Sequence, residues 1–271
     1  MEPVTADSGY AMYARTVQAC VFKVLMDALS GLLVDATVRF SSEGIKIVEL
    51  DNTHIVMLHL TLDARKFEEF YCEAPLDLGI NISNLHTLLK TVNTSDTLTL
   101  FLEKSDRNRL GIRVENEEKR TRTQFRLSLL DLDVNEYNIP PVGFSSCVIL
   151  PATYFQKILR DMSNLSENVE IKSINRQLVL SCSGNFCSQE TVLHDTDRGE
   201  GEDDEGDDAD ASLIKQGVFS IKYLCMFCKC SSLCSNVEIF IKNSFPLVLR
   251  YKIGLGSLKL ALSPRENDIE Y

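Results

Sequence analysis

Apolar residues recur along the chain in two spacings that alternate with each other. An apolar residue every three or four positions, which is the helical period, occupies residues 17–31, 82–92, 152–164 and 221–232. Stretches with period-two alternation, bounded by polar turns, separate them. Short turns connect most of these strands, which is typical of antiparallel pairing. The pattern therefore predicts four short helices among many strands in largely antiparallel sheets.

The second half of the chain repeats the pattern of the first. At a constant offset of 139 positions, Ile82 matches Ile221, and the alternating strand Leu98, Leu100, Leu102 matches Val237, Ile239, Ile241. The stretch "FKVLMDALS" from residue 22 likewise resembles "FQKILRDMS" from residue 155, and each precedes a strand, a polar turn and another strand. Because internal repeats determine architecture, we predict an α+β fold of two similar domains, each with two helices packed on antiparallel sheets.

The two halves meet in "SLLDLDVNEYNIPPVGFSS", residues 128–146. Two adjacent prolines exclude both a helix and a central strand there, although the stretch carries apolar residues that look exposed. We expect a flexible N-terminal extension over residues 1–11, a first domain over 12–130, a connecting linker over 131–146 and a second domain over 147–271.

Composition narrows the class of protein. Of the 271 residues, 44% are hydrophobic and 25% are charged, as in ordinary globular domains. No apolar run reaches about 18 residues, so no membrane span is expected, and the first residues lack the features of a secretory signal. The nine cysteines do not form the framework of a small secreted domain, and we expect free thiols.

The net charge of −11 is unevenly distributed. Residues 195–210 contain ten acids and one arginine, a local charge of −9, so the rest of the chain carries only −2. We expect an acidic loop over 195–212, which is either a solvated insertion or a docking segment for histones or other basic proteins.

The predicted helices carry the opposite charge. They hold six basic residues against Asp27 and Asp161, a net +4, which leaves −15 on the remainder of the chain. Basic residues on one amphipathic helix can simply be its solvated face. Their recurrence on four repeat-related helices favours a surface that faces DNA phosphates. Base-reading motifs and stacking aromatics are absent, so contacts should be independent of base sequence.

Several motifs resemble one known family in order and spacing, from about Met12 to Arg265. "LDNTHIVMLHLTL" resembles the "MDSSHV" segment of the eukaryotic DNA sliding clamps, the proliferating cell nuclear antigen family. "LLDLDVNEYNIP" resembles that family's linker, "ILRDMSNLS" its third helix, and "FPLVLRYKI" and "LSP" its C-terminal strands and tail. The resemblance implies a DNA polymerase processivity factor, not an enzyme. It implies a nuclear homotrimeric ring that encircles double-stranded DNA and needs no cofactor.

The resemblance also implies site residues. Those implied to face DNA are Lys23, Lys90, Lys157, Arg160, Lys222 and Lys229. Val24, Ser30, Thr87 and Asn164 stand where the family commonly has Lys, Lys, Lys and His, so the lining should be less positive.

An apolar pocket beside the linker is implied to bind a short peptide of partner proteins, such as a DNA polymerase, the clamp loader and other replication or repair proteins. Its residues would be Leu50, His54, Met57, Tyr137, Ile139, Pro246, Ala261 and Pro264. Ala261 replaces a family tyrosine, which widens the pocket. Tyr137 and Ile139 can also pin the linker to its own domain.

Subunits of the family pair through edge strands, which here correspond to residues 120–128 and 186–194. The implied interface residues are Phe125, Arg122, Cys187 and Thr191, with Phe125 in place of the usual tyrosine. Asn175 occupies the position of the family's ubiquitin-accepting lysine.

Four other readings compete. Cys225, Cys228, Cys230 and Cys234 could bind zinc or a cluster, but their spacing lacks two separated knuckles and favours small apolar fillers, so no metal is expected. Asp131 and Asp133, with Asp51, could bind Mg²⁺ for phosphodiester cleavage, although no supporting constellation accompanies them. The chain could also be a subunit of a heterotrimeric checkpoint-type clamp or of a viral-type factor that is not a homotrimer. It could finally be a protein scaffold that does not encircle DNA.

Overall fold

The computed structural model describes residues 9–133, 137, 147–174, 177–194, 197–198 and 214–265. The chain divides into two compact units. The first contains the described residues of Met1–Asn52, Leu58–Tyr137 and Ile253–Leu258, and the second contains those of Thr53–Met57, Asn138–Lys252 and Lys259–Tyr271.

Two short segments belong to a different unit from the residues that flank them in the sequence. In the second unit, the Ser263 amide donates to the Ile55 carbonyl at 3.0 Å and holds residues 53–57 there. In the first unit, the Asp63 amide donates to the Leu255 carbonyl at 2.9 Å and holds residues 253–258. Backbone pairing between residues far apart in sequence therefore places 53–57 and 253–258 in a different unit from the residues that flank them.

Four α-helices form where the apolar period predicts them: α1 (Ala19–Ser30), α2 (Ile82–Leu89), α3 (Ala152–Ser163) and α4 (Ile221–Phe227). Helix α2 is capped by the Asn81 side chain, which accepts from the Asn84 amide at 2.8 Å. Helix α4 is shorter than predicted, since the chain continues after it as a 3-10 helix over Cys228–Leu233. The helical period thus locates each helix, and the ends differ by a few residues.

The first unit contains a five-stranded sheet in the order β5-β1-β7-β8-β9, and strands in the order β6-β2-β3-β4. A 3-10 turn, Ala64–Lys66, follows β4. The strands are β1 (Tyr10–Thr16), β2 (Asp35–Ser41), β3 (Gly44–Leu50), β4 (Val56–Asp63), β5 (Glu69–Cys72), β6 (Leu76–Asn81), β7 (Thr97–Glu103), β8 (Asp106–Asn116) and β9 (Thr121–Ser128).

The second unit contains a four-stranded sheet in the order β13-β12-β11-β15, and strands in the order β14-β10-β16-β17. Strand β18, which follows β17, is divided between the units. The first two residues of β4 belong to the second unit, and the last residue of β17 belongs to the first. The strands are β10 (Cys147–Pro151), β11 (Asn168–Ile174), β12 (Gln177–Ser183), β13 (Ser188–Leu193), β14 (Asp197–Arg198), β15 (Lys215–Ser220), β16 (Asn236–Phe240), β17 (Leu247–Ile253) and β18 (Gly256–Leu262).

The internal repeat predicted from the sequence is present in the fold. Ile82 and Ile221 are the first residues of α2 and α4. The strand that follows each helix buries its matched residues, which are Leu98, Leu100 and Leu102 in β7, and Val237 and Ile239 in β16 with Ile241 directly after it. The strand pairs whose register is defined are antiparallel throughout the described residues. The predicted α+β class is confirmed.

Each helix packs one apolar face inward. In α1 the buried face includes Phe22, Leu25 and Leu29, and in α3 it includes Phe155 and Leu159. Complete burial of such a side chain contributes about 1.5–3 kcal/mol, so these faces account for much of each helix's stability. None of the helices in the described ranges has the length and apolar character needed to span a bilayer.

The cysteines after α4 do not behave as one group. Cys228 and Cys230 are buried, whereas Cys225 and Cys234 are half-buried. Burial raises the pKa of the Cys228 thiol to about 12, because a thiolate loses its hydration there. Within the described ranges, no three potential ligand side chains converge on a common metal position. Burial thus separates Cys228 and Cys230 from the two half-buried thiols.

The pKa of Cys228 makes stability depend on alkaline pH. The folded pKa of about 12 exceeds the ordinary value of 9.0, so the folded state retains a proton that the unfolded chain loses. The free energy of unfolding should therefore fall above pH 9 by about 1.4 kcal/mol per pH unit. Urea unfolding at pH 8 and pH 10, at one protein concentration, measures this. The Cys228→Ala chain should lose less stability between these pH values, and equal losses would refute the assignment.

Candidate functional site

The basic residues of the first unit lie on α1 and at the end of α2. Lys90 is exposed, whereas Lys23 is half-buried and donates from Nζ to the Val92 carbonyl at 2.9 Å. This carbonyl lies just beyond the C-terminal end of α2, where a positive charge offsets the helix dipole. Lys23 therefore joins the two helices, a role that its sequence position did not indicate.

His86 connects α2 to α1. Its Nδ1 lies 3.2 Å from the Ser30 Oγ, and its Nε2 lies 3.6 Å from the Asp27 Oδ1. The Ser30 hydroxyl already donates to the Asp27 carbonyl at 3.0 Å, and it has only one proton. His86 Nδ1 is therefore the donor to Ser30. Asp27, the single acid within α1 and α2, thus has the His86 imidazole beside it.

The basic residues of the second unit lie on α3, on α4 and on the 3-10 helix. Lys157, Arg160, Lys222 and Lys229 are all exposed, opposite the buried positions of their helices. The Gln156 side chain braces the two helical segments, since Nε2 donates to the Cys228 carbonyl at 3.2 Å and Oε1 accepts from Ser231 at 2.9 Å. The structure thus leaves four basic side chains on the solvated sides of one braced helix pair.

Two aromatic side chains accompany these charges and were not singled out from the sequence. Tyr154 on α3 is 45% exposed. Tyr223 on α4 lies with its ring centroid 5.9 Å from Lys222 Nζ, and its hydroxyl is 3.2 Å from Thr53 Oγ1. Thr53 belongs to the exchanged segment 53–57, so only the tertiary structure brings it to α4.

The implied peptide-pocket residues fall in both units. His54, Met57, Pro246, Ala261 and Pro264 belong to the second unit, and the Ser263–Ile55 hydrogen bond brings the segments of His54 and Pro264 together there. His54 is exposed with φ 56°, the left-handed region that few side chains adopt. Leu50 and the half-buried Tyr137 belong to the first unit. Ile139 lies outside the described residues, as do Asn175 and the predicted acidic loop except the backbone of residues 197–198.

The implied interface strands both lie at sheet edges. Strand β9 ends the five-stranded sheet and β13 ends the four-stranded sheet. Arg122 is exposed and Phe125 half-buried on β9, while Cys187 is exposed just before β13 and Thr191 half-buried within it. Among the described strands, each of these two pairs with one neighbour, so one side of its backbone is available to another strand.

The hydrogen bonds at each strand's end show which backbone groups point outward. The Leu129 amide donates to the Asn108 carbonyl at 2.9 Å. In an antiparallel pair every second residue bonds to the partner strand, so Thr123 and Phe125 bond to β8 while Gln124 points away. The residues of β9 that point away from β8 are Arg122, Gln124, Arg126 and Ser128.

The same argument applies to β13. The Gly184 amide donates to the Cys187 carbonyl at 2.9 Å across a two-residue turn. Gln189, Thr191 and Leu193 therefore bond to β12, and the backbone groups of Ser188, Glu190 and Val192 point outward.

A cavity of about 170 Å³ lies beside β9 and is lined in part by Thr91, Asn93, Asp96, Thr123 and Phe125. Burial alone would raise the pKa of the Asp96 carboxyl. Hydrogen bonds from the Asn116 side chain at 2.6 Å and the Asn93 amide at 2.8 Å outweigh burial and keep that pKa below its usual value. Asp96 thus anchors the turn before β7 as an ionised group.

The carboxylates of the cleavage hypothesis are dissimilar. Asp131 and Asp133 are exposed, whereas Asp51 is 6% exposed. They do not belong to any metal-binding group among the described residues.

Comparisons with known proteins agree across nearly the whole chain. The sequence profile of the proliferating cell nuclear antigen N-terminal domain matches residues 11–137, and that of the C-terminal domain matches residues 138–265. A protein of Paramecium bursaria Chlorella virus 1 named "Probable DNA polymerase sliding clamp 1" is 34% identical over 263 residues, covering 95% of this chain and 98% of that protein.

Two further relatives point the same way. The proliferating cell nuclear antigen of Chaetomium thermophilum is 29% identical over 258 residues, covering 95% of this chain and 99% of the relative. The crystal structure of the antigen from Entamoeba histolytica superimposes with a TM-score of 0.83 at 23% identity, covering 94% and 99% of the two chains, which shows a shared fold. The chain therefore belongs to the proliferating cell nuclear antigen family of DNA sliding clamps.

Proposed function

We propose that this protein is a DNA polymerase processivity factor, the subunit of a ring-shaped clamp that encircles duplex DNA and tethers a polymerase to its template. In this role the protein holds other enzymes in place and catalyses no reaction itself. A ring that is linked topologically to DNA needs only weak contacts, so it can slide. The nucleus is the proposed place of action.

The observation that carries this proposal is the repeat-related placement of positive charge. Both helix pairs carry basic residues on their solvated sides, in a chain whose remaining segments sum to −15. A surface of this kind attracts phosphates and reads no base. The proposed DNA-facing residues are Lys23, Lys90, Lys157, Arg160, Lys222 and Lys229.

The proposed ring forms when several copies of the chain associate. The outward backbone groups of β9 and β13 are complementary, and we propose that β9 of one subunit pairs with β13 of the next. Because one surface joins a different surface of an identical chain, the contact repeats head to tail until it closes. Three copies are proposed, with Phe125, Arg122, Cys187 and Thr191 at each contact.

Partner proteins are proposed to dock through a short peptide. Its apolar anchors would contact His54, Met57, Pro246, Ala261 and Pro264, which all belong to the second unit. Burial of apolar surface contributes about 25 cal/mol per Å², and a few aromatic anchors would supply micromolar affinity after ordering costs. A polymerase and the clamp loader are the expected carriers of such a peptide.

Encirclement can be tested without a loader. A duplex with biotin at both ends is mixed with the protein, and streptavidin is added either after or before the protein. Protein that threads first should remain on the DNA through a wash at 0.5 M salt, where charge contacts are largely screened. Protein added to DNA with blocked ends should wash off. Equal retention in both orders would refute encirclement and favour a scaffold that contacts DNA from one side.

The mass in solution separates the remaining alternatives. A particle of three chains supports the homotrimer. A stable monomer at micromolar concentration would refute self-assembly and favour a subunit of a heterotrimeric clamp.

A further inference from the structure

The two edge strands restrict how subunits can join, and this inference rests on the proposed ring. Outward backbone groups must face outward groups for hydrogen bonds to form between β9 and β13. On β9 these belong to Arg122, Gln124, Arg126 and Ser128, and on β13 to Ser188, Glu190 and Val192. All are even-numbered, so Glu190 can lie opposite Arg122, Gln124, Arg126 or Ser128 but not opposite Thr123 or Phe125.

Charge distinguishes the four possible registers, because Gln124 and Ser128 are neutral and only Arg122 and Arg126 are basic. Arg126 is already engaged, since its guanidinium bonds both oxygens of Glu103 at 3.1 and 3.2 Å and lies 4.0 Å from Asp106. Arg122 makes one looser ion pair, 3.4 Å from Glu115, and its side chain is 57% exposed. Glu190 on β13 is exposed. Opposite charges directly across two strands stabilise their pairing.

We propose that β9 of one subunit pairs antiparallel with β13 of the next, in the register that places Glu190 opposite Arg122. The partner this surface fits is a second copy of the same chain. The register also places Ser188 opposite Gln124, Cys187 opposite Phe125 and Gln189 opposite Thr123. Glu190 thereby becomes a specificity-determining residue of the interface, because its charge distinguishes this alignment from the neighbouring ones.

Two features beside the strands agree with this alignment. Phe186, at the turn that precedes β13, is 80% exposed, the highest value among the exposed large apolar side chains of the described residues. In this register it lies beside Arg126 and Phe125 of the neighbouring subunit, which would cover it. The side chains of Gln189 and Thr191 lie on the same face as Thr123 and Thr121, so they would close the open side of the 170 Å³ cavity beside β9.

Disulfide trapping tests the register. Thr123 and Gln189 bond to their own sheets, so across the interface they form a non-hydrogen-bonded pair with Cα atoms about 4.5 Å apart, within disulfide reach. In a chain carrying Cys187→Ser, the added pair Thr123→Cys and Gln189→Cys should form covalent dimers and trimers on mild oxidation. The pair Phe125→Cys and Gln189→Cys, which matches Glu190 opposite Gln124, should not. Each single cysteine variant serves as the control.

The outcomes separate the register from the proposed function. Trapping by Phe125→Cys with Gln189→Cys instead would overturn the register while leaving edge pairing intact. A trimer by mass in which neither pair is trapped would overturn both the register and the pairing of these strands. Absence of any trimer in the parent chain would refute the homotrimer itself.

Charge exchange provides the second measurement. Arg122→Glu and Glu190→Arg should each weaken subunit association by about fivefold or more per interface, since like charges then face each other. The double variant should recover most of the lost affinity, which mere loss of the Arg122–Glu115 ion pair would not allow. Arg107→Glu, an exposed residue of β8 away from the edge, is the matched control. If the double variant loses as much association free energy as the two single variants together, the Arg122–Glu190 pairing is overturned.

Discussion

Replacing Gln124 by proline is expected to convert the assembled protein from a particle of three chains to the 30.5 kDa monomer. The Gln124 amide points away from β8, so its loss removes no hydrogen bond within the subunit. Proline is tolerated on edge strands for this reason. On the outward side, it deletes a donor and places its ring where the neighbouring strand must approach.

The expected magnitude is large because a ring contains the same contact several times. An unsatisfied carbonyl on the partner strand costs about 1–3 kcal/mol per contact, and the steric conflict adds to it. Sedimentation or light scattering at micromolar concentration measures the mass. The monomer should also lose the order-dependent retention on end-blocked DNA, since an open chain cannot encircle a duplex.

Two neighbouring substitutions make the experiment specific. Gln124→Ala retains the amide and should remain assembled. Thr123→Pro removes an amide that bonds to β8, so it should lower the melting temperature of the subunit itself. If the Gln124→Pro chain still assembles, β9 is not the joining edge. If Gln124→Pro lowers the melting temperature of the subunit as far as Thr123→Pro does, the hydrogen bonds assigned between β8 and β9 are wrong.

Reversing three charges on the helices of the second unit is expected to abolish binding to duplex DNA at low salt. The variant carries Lys157→Glu, Arg160→Glu and Lys222→Glu, all exposed on α3 and α4. Each phosphate contact contributes about 0.9 to the slope of log affinity against log salt. In a trimer nine cations become anions, so repulsion should replace attraction.

The matched control reverses three exposed basic residues away from these helices: Lys46→Glu, Lys66→Glu and Arg107→Glu. It also replaces two lysines and one arginine by glutamate, so its net charge is the same. Any difference in DNA affinity between the two variants is therefore due to where the charges lie. Fluorescence anisotropy with a short duplex measures the DNA affinity. Repeating it between about 20 and 150 mM salt, where charge contacts are only partly screened, gives the slope of log affinity against log salt. Equal losses in both variants would show that net charge alone governs binding and would contradict a DNA-facing surface on the helices.

The apolar pattern predicted the helices well because each helix buries a continuous stripe. Helix α3 was predicted over 152–164 and observed over Ala152–Ser163, and its buried residues follow the period of the sequence. The end of α4 was harder to predict. The cysteines after Phe227 are small enough to pack in a 3-10 helix, and Gln156 from α3 bonds to the Cys228 carbonyl there. That contact joins residues 72 positions apart, which no local pattern reveals.

The candidate site was predicted unevenly for a similar reason. Charge counting on the helical period identified all six basic residues, and five of them are exposed. It missed that Lys23 is bound to the Val92 carbonyl and that His86 lies between Ser30 and Asp27. Both depend on how closely α1 approaches α2. The spacing of residues within one helix carries no information about that approach.

By itself the sequence determined which segments are helices and strands, that the chain repeats itself, and which segments carry positive charge. These follow from local periodicity and composition, which burial and chain geometry impose residue by residue. The tertiary structure alone decided that residues 53–57 and 253–258 exchange units, that β9 and β13 end their sheets, and which of their amides point outward. Those properties depend on hydrogen bonds between strands distant in sequence, and a strand's own residues do not specify which neighbour it lacks.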